Sequence, residues 1–252
     1  MGNLHAGHLA LAELAAAKAD RVVVSVFVNP TQFGAQEDIG SYPRTLDADE
    51  GLLRQQGCAD LLYVPAEKDV YPRGLTDLVM VSMPALATDL CGRSRPGHFN
   101  GVASVVLRLL NIVQPEVLVV GQKDYQQMVL LGWMIEDLHV PVELVAGPIV
   151  RDTDGLALSS RNQYLTSEER LIAPQLHATL LEFAAQLNGA TDAFENYRPA
   201  ALERLAGYGF KVDYLELRAA GDLAPLTVAD GPSIVLVAAW LGRARLLDNI
   251  LI

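Results

Sequence analysis

Two histidines set three residues apart stand at the start of the chain. Met1-Gly2-Asn3-Leu4-His5-Ala6-Gly7-His8 places an H-x-G-H pattern at the mouth of an apolar helix. The first turn of a helix presents N–H groups that lack intrahelical partners, and the macrodipole adds partial positive charge there. His5 and His8 fall on one face and can both address an anion, while Gly2 and Gly7 have no Cβ to keep phosphate oxygens from the backbone. The chemistry implied is phosphate binding. Four further segments bear on it. Asn29-Pro30-Thr31-Gln32 sets two amides, suited to the hydroxyl and carboxylate oxygens of a small acid, after an apolar run. Gly121-Gln122-Lys123-Asp124 offers a mobile cation for phosphate and a carboxylate for a helix cap or for ribose hydroxyls, with Gln126 and Gln127 one turn on. Leu158-Ser159-Ser160-Arg161 combines two hydroxyls with a guanidinium fork, an anion clamp. Cys91 to Phe99 (CGRSRPGHF) is a basic, glycine-containing loop in an otherwise acidic protein. Each segment alone also reads as ordinary structure: a helix start, a proline turn, an N-cap, a polar loop. Neither a Ser/His/Asp triad nor a nucleophile elbow is evident, so covalent catalysis is not indicated.

The elements that would hold these residues alternate in type. Helical patterns over 4–18, 46–56, 102–113 and 124–138 are interleaved with apolar, β-branched runs at 21–28, 61–64, 117–120 and 142–145, with a further strand expected at 78–82. Such alternation predicts an α/β fold with a doubly wound parallel sheet, whose ligands sit at the carboxyl ends of the strands. Asn29 and Gly121 both follow such ends. From about Gly147-Pro148 the pattern changes to helices at 167–187 and 193–207 and extended segments at 211–218, 233–240 and 243–250, the pattern of an α+β domain with an antiparallel sheet. The expected domains are 1–149 and 150–252. One strand is missing from this scheme. A phosphate-binding helix in a doubly wound fold normally follows the first strand of the sheet, and here Met1 already lies in the binding loop. The expectation is a sheet lacking a central member, in a chain whose true start lies upstream.

Composition bounds the function. The net charge of −11 argues against a nucleic-acid surface, although it allows a small anionic ligand in a local cationic pocket. Cys58 and Cys91 are too few for a disulfide framework, and no metal-binding Cys/His spacing is present. Neither a signal peptide nor an apolar run of membrane-spanning length is found, so a cytoplasmic setting is expected.

Taken together, MGNLHAGHL, VSVFVNPTQF, YPRTLDADEGLL, CGRSRPGHFNGVASVV, GQKDYQQ, DGLALSSRNQYL and the terminal RLLDN resemble, in order and from end to end, the pantothenate synthetase (pantoate–β-alanine ligase) family. The resemblance implies a Rossmann-like N-terminal domain, a smaller C-terminal lid and a homodimer. It also implies an ATP-dependent ligase that joins pantoate to β-alanine through a pantoyl adenylate, with Mg²⁺, releasing AMP and pyrophosphate. Carried over by motif, Met1, Gly2, Asn3, Leu4, His5, Ala6, Gly7 and His8 would hold ATP phosphates, with His8 in the catalytic position beside His5. Gly121, Gln122, Lys123 and Asp124 would also bind ATP, Lys123 acting on phosphate. Val150 would line the adenine side, and Leu158, Ser159, Ser160 and Arg161 would close over the triphosphate. Gln32 and Gln127 would take pantoate, with Asn29 in the same hydroxy-acid pocket. The resemblance also implies an upstream segment carrying the first strand and a Pro-Thr before Met1. Two rivals remain at this stage: an H-x-G-H nucleotidyltransferase that makes no amide, and an inactive nucleotide-binding remnant.

Overall fold

A computed structural model describes residues 1–34, 39–40, 42–187, 193–226 and 231–252. The chain separates into two compact units, Met1–Gln122 with Gln126–Gly147, and Lys123–Tyr125 with Pro148–Ile252.

In the first unit, helices α1 (Ala6–Ala16), α2 (Leu46–Gln56), α3 (Glu67–Val70), α4 (Cys91–Ser94), α5 (His98–Val113) and α6 (Tyr125–Asp137) accompany four short strands. Strand β1 (Val23–Ser25) pairs in parallel with β2 (Leu61–Tyr63), and β3 (Val117–Gly121) pairs in parallel with β4 (Glu143–Gly147). Among the described residues no ladder joins one pair to the other. The α/β class, with parallel pairing in this unit, is as expected. Val102, Ala103 and Leu110 of α5 and Leu131 and Met134 of α6 pack on Leu118, Val120 and Leu144 to form the core beneath β3 and β4.

Two expectations need correction here. The strand predicted over 21–28 narrows to three residues, because its partner β2 is only three long. The strand expected at 78–82 is absent: Val81 N–H donates to Ser104 Oγ (2.8 Å) and Met83 N–H to Asn100 Oδ1 (3.0 Å), so side chains of α5 take the donors that a neighbouring strand would.

In the second unit, β5 (Lys211–Ala219), β6 (Ser233–Leu241) and β7 (Ala244–Leu251) form an antiparallel sheet in the order β5-β6-β7. Helices α7 (Ser167–Ile172), α8 (Gln175–Leu187) and α9 (Phe194–Gly207) complete it. The predicted helix 167–187 is two helices with Pro174 between them; proline has no N–H to continue a ladder. Leu176, Leu180, Phe183 and Leu187 of α8 pack with Leu215, Val235 and Val237 of the sheet. Strand β6 is buried at every position except Trp240, the mark of a central strand covered on both faces.

Candidate active site

The phosphate-type loop is shaped by two residues of left-handed conformation and one buried acid. Gly2 (φ 81°) and Asn3 (φ 52°) turn the backbone into α1. Asp49, on α2 and 1% exposed, accepts from Asn3 N–H (2.9 Å) and Leu4 N–H (2.7 Å), and from the Thr45 hydroxyl (3.1 Å). A Cβ on Gly2 would lie 3.1 Å from Asp49 Oδ2 and 3.2 Å from Val26, so a side chain there would be both strained and crowded. Asp49 thus holds the loop from behind. Sequence reasoning missed it, because a separation of 45 residues carries no local signal.

His5 and His8 meet in front of that loop, their ring centroids 4.0 Å apart. His5 Nδ1 caps α1 by accepting from Gly7 N–H (3.2 Å), and His8 Nδ1 accepts from His5 N–H (3.3 Å). A ring nitrogen that accepts carries no proton, so each neutral imidazole keeps its hydrogen on Nε2. Both rings thus turn Nδ1 to the backbone of the helix start, beside the helix N-terminus.

The amide cluster follows β1. Asn29 (1% exposed) donates from Nδ2 to Gln32 Oε1 (3.0 Å) and to Gly101 O (3.2 Å). Its Oδ1 accepts from the hydroxyls of Tyr71 (2.5 Å) and Thr31 (3.0 Å). Burial pushes the Tyr71 phenol above its ordinary value of 10, which keeps it a donor. With both amide hydrogens engaged, Asn29 is placed as the group that orients Gln32 rather than as the direct substrate contact expected of it. Gln32 has its Oε1 occupied by Asn29 and can offer its Nε2 hydrogens. The basic loop supports the same residue: Arg95 donates to His98 Nε2 (2.8 Å), which leaves the His98 proton on Nδ1, where it is donated to Gln32 O (2.8 Å). Helix α5 approaches so closely that a Cβ on Gly101 would lie 2.2 Å from Thr31 O. At His98 this basic loop makes a structural contact, with the backbone of Gln32.

The two glutamines after GQKD separate by geometry. Gln126 is 3% exposed, donates to Leu86 O (2.7 Å) and Asp89 O (2.8 Å), and accepts from Cys91 N–H (3.0 Å). It binds protein. Gln127 is partly exposed, the condition a ligand contact requires.

Gly121 and Gln122 belong to the first unit, whereas Lys123 and Asp124 group with the second. There the Lys123 side chain is 18% exposed, with its ammonium 3.9 Å from Asp124, and it lines a small pocket with Ser159, Asn162, His177 and Asp248. Val150 O accepts from Leu158 N–H (2.9 Å), drawing Val150 toward the Leu158-Ser159-Ser160-Arg161 segment. Ser159 Oγ caps the short 3₁₀ turn 160–164 by accepting from Arg161 N–H (3.2 Å). Behind the pocket lies a buried ion pair. Arg151 grips Asp248 with two contacts of 2.7 Å, and His177 Nδ1 lies 3.1 Å from the same carboxylate without hydrogen-bonding geometry. Burial disfavours the Asp248 anion, but His177 and Arg151 outweigh it and hold the carboxyl below its usual 3.8. The sequence brought Lys123 and Ser159 forward; Asp248 stood there only within the terminal RLLDN, and it held no hint of Arg151 or His177.

The phosphate loop and the oriented amides of the first unit suit a nucleotide and a small hydroxy acid, and the lysine–serine pocket of the second suits an anion. The family model described as pantoate-beta-alanine ligase matches residues 1–251. The chain belongs to the pantoate–β-alanine ligase family. A pantothenate synthetase of Pseudomonas fluorescens (strain SBW25) is 49% identical over 250 residues, covering 99% of this chain and 88% of that protein. One from Shewanella amazonensis is 50% identical over 250 residues, covering 99% and 88%. A crystal structure of pantothenate synthetase from Thermus thermophilus superposes with a TM-score of 0.92 at 44% identity, covering 99% of this chain and 90% of the other. The pantoate-beta-alanine ligase of Francisella tularensis, solved with beta-gamma ATP and beta-alanine, gives a TM-score of 0.80 at 34% identity and covers 100% and 87%. Family membership and the mixed α/β fold thus agree with the resemblance read from the motifs.

Proposed function

We propose that this chain joins pantoate to β-alanine in an ATP-dependent reaction through a pantoyl adenylate. Membership of the pantoate–β-alanine ligase family supports an amide-forming ligase, and ATP and β-alanine are the ligands named for the Francisella structure. The observation that carries the residue assignments is the pair of imidazole rings at the start of α1, each with Nδ1 engaged by a backbone N–H.

In the first step the pantoate carboxylate attacks the α-phosphorus of ATP and pyrophosphate leaves. The loop from Met1 through His8 receives the phosphates, His8 as the catalytic donor with His5 beside it. Lys123 and Arg161, aided by the hydroxyls of Ser159 and Ser160, offset the charge that builds on the transferring and departing groups. Gly121 and Gln122 approach the nucleotide through backbone groups, Asp124 takes ribose hydroxyls, Val150 lines the adenine side, and Leu158 closes over the triphosphate with Ser159, Ser160 and Arg161. Gln32, oriented by Asn29, and Gln127 hold pantoate. In the second step the amine of β-alanine attacks the acyl carbon, AMP leaves, and the amine loses a proton. No side chain forms a covalent bond, so positioning and electrostatics supply the catalysis. Mg²⁺ belongs to this scheme as the counter-ion that enters on the ATP phosphates; no group of three metal-ligating side chains lies together among the described residues. The C-terminal domain serves as the lid, the enzyme works as a homodimer, and it operates in the cytoplasm. Among the described residues no helix is long and apolar enough to cross a membrane.

The test is AMP release in the presence of ATP, pantoate and β-alanine, with pyrophosphate release on pantoate alone. Lys123→Ala or His8→Ala lowers the pantoate-dependent step by about 10²-fold, as loss of one electrostatic donor does elsewhere. AMP formed independently of β-alanine by folded protein would overturn the ligase reading, and a change under about threefold in either variant would overturn that residue's role.

A further inference from the structure

The residue proposed to act on phosphate is held by its own backbone. Lys123 lies in a short 3₁₀ turn, Gln122–Asp124, between β3 and α6, yet it groups with the C-terminal unit. A side chain of the terminal RLLDN motif meets it there. Asn249 of β7, 5% exposed, donates from Nδ2 to the carbonyl oxygen of Lys123 at 3.1 Å. A second tether sits two residues on, where the Tyr125 hydroxyl donates to Ala220 O (3.0 Å) just beyond β5. Two such contacts within three residues fix both the place and the rotation of the segment that carries the ammonium.

Asn249 is itself rigidly mounted. Its register against Leu236 of the buried strand β6 is set by the sheet, and its N–H donates to Asp248 Oδ1 (2.8 Å). That carboxylate receives both prongs of Arg151, whose Nη1 also reaches Gly155 O (3.1 Å) in the turn preceding Leu158–Arg161. Adjacent residues of one strand therefore anchor two segments: Asn249 ties Lys123, and Asp248 ties the base of the serine–arginine loop. A buried carbonyl left without a donor is costly, and the Asn249 amide supplies one to Lys123 O.

We infer that Asn249 is a positioning residue for the adenylation step, acting through Lys123. The inference rests on the assignment of Lys123 to the ATP phosphates. It also explains why the Asp-Asn of RLLDN, far along the chain from every nucleotide motif, belongs with them.

The test compares wild type, Asn249→Asp, Tyr125→Phe, Lys123→Ala and the Lys123→Ala/Asn249→Asp double variant. The readouts are pantoate-dependent pyrophosphate release without β-alanine, the KM for pantoate and the melting temperature. Asn249→Asp keeps the shape and removes the donor. It lowers the rate at saturating ATP by about tenfold or more, as misplacement of a catalytic group does, while the KM for pantoate stays within about twofold. In the Lys123→Ala background the same change has less than about a twofold effect, because there is no ammonium left to misplace. Tyr125→Phe weakens the second tether without adding charge and produces a smaller loss that likewise disappears in that background. The inference is overturned if Asn249→Asp is within about twofold of wild type, or if its full loss persists without Lys123, which marks a merely structural effect. If Lys123→Ala itself retains wild-type rate, the phosphate role of Lys123 is what fails. Should Asn249→Asp not fold, Tyr125→Phe decides: a loss that persists without Lys123 overturns the inference and one that vanishes supports it.

Discussion

Replacing Asp49 by Asn removes one charge and leaves the shape. The wild-type carboxylate takes two backbone N–H groups at 2.9 and 2.7 Å and the Thr45 hydroxyl at 3.1 Å, while 1% exposed. An amide has one acceptor oxygen, so one of Asn3 N–H and Leu4 N–H must face an NH₂ group. Loss of one hydrogen bond to a charged group, together with an unsatisfied donor, costs about 2–3 kcal/mol. In a protein of this size that lowers the melting temperature by roughly 5–10 °C. The effect on catalysis is separate. The loop that Asp49 holds leads directly into His5 and His8, and a displacement of about 1 Å in catalytic geometry costs about 10²-fold in rate. Pyrophosphate release on pantoate, measured well below the melting temperature, therefore falls by about two orders of magnitude, whereas tryptophan fluorescence still reports a folded protein. A variant that melts within about 1 °C of wild type and adenylates within about threefold would refute the claim that this carboxylate shapes the phosphate loop.

Three further outcomes follow from the geometry. Asp248→Asn leaves Arg151 facing an amide and destabilises the protein by about 3 kcal/mol at pH 7 in denaturant titrations, the lower end of the range for a broken buried pair because the Arg151 side chain is 20% exposed. Since the Asp248 carboxyl titrates below 3.8, the pair's contribution is complete above that pH and is lost as the pH falls beneath it; a difference between variant and wild type that already vanishes by about pH 5 would contradict the pairing. Gly101→Ala places a methyl 2.2 Å from Thr31 O, forcing α5 and the amide loop apart; it costs about 1–3 kcal/mol and raises the KM for pantoate, and an unperturbed KM would dismiss the close approach as irrelevant to the site. Gln126→Ala and Gln127→Ala diverge: the first lowers stability by removing three buried hydrogen bonds, the second raises the KM for pantoate at unchanged stability, and an exchange of these phenotypes would reverse the assignment of the two glutamines.

Much of the candidate site was legible before any coordinates. The H-x-G-H pattern marks itself, because helix periodicity alone puts His5 and His8 on one face. Lys123 and the serine–arginine segment were visible as cations and hydroxyls beside predicted element ends. What was misread had a common cause, the competition of tertiary partners for polar groups. The apolar segment at 78–82 has the composition of a strand, but Ser104 and Asn100 bind N–H groups there and just beyond it first. Asn29 has the chemistry of a ligand, but Tyr71, Thr31, Gly101 and Gln32 engage it.

By itself the sequence determined the alternation of helices and strands along most of the chain, the change from parallel to antiparallel pairing near residue 148, and the residue types that can bind phosphate and a hydroxy acid. These are local properties, fixed by periodicity and side-chain chemistry. Only the tertiary structure decided which of two adjacent glutamines faces protein, which nitrogen of each histidine keeps its proton, and that Asp49 and Asn249 stand behind the motifs in front of them. Those assignments depend on which donors and acceptors meet across tens to more than a hundred residues of chain, and burial makes each unmet partner costly enough to fix the answer.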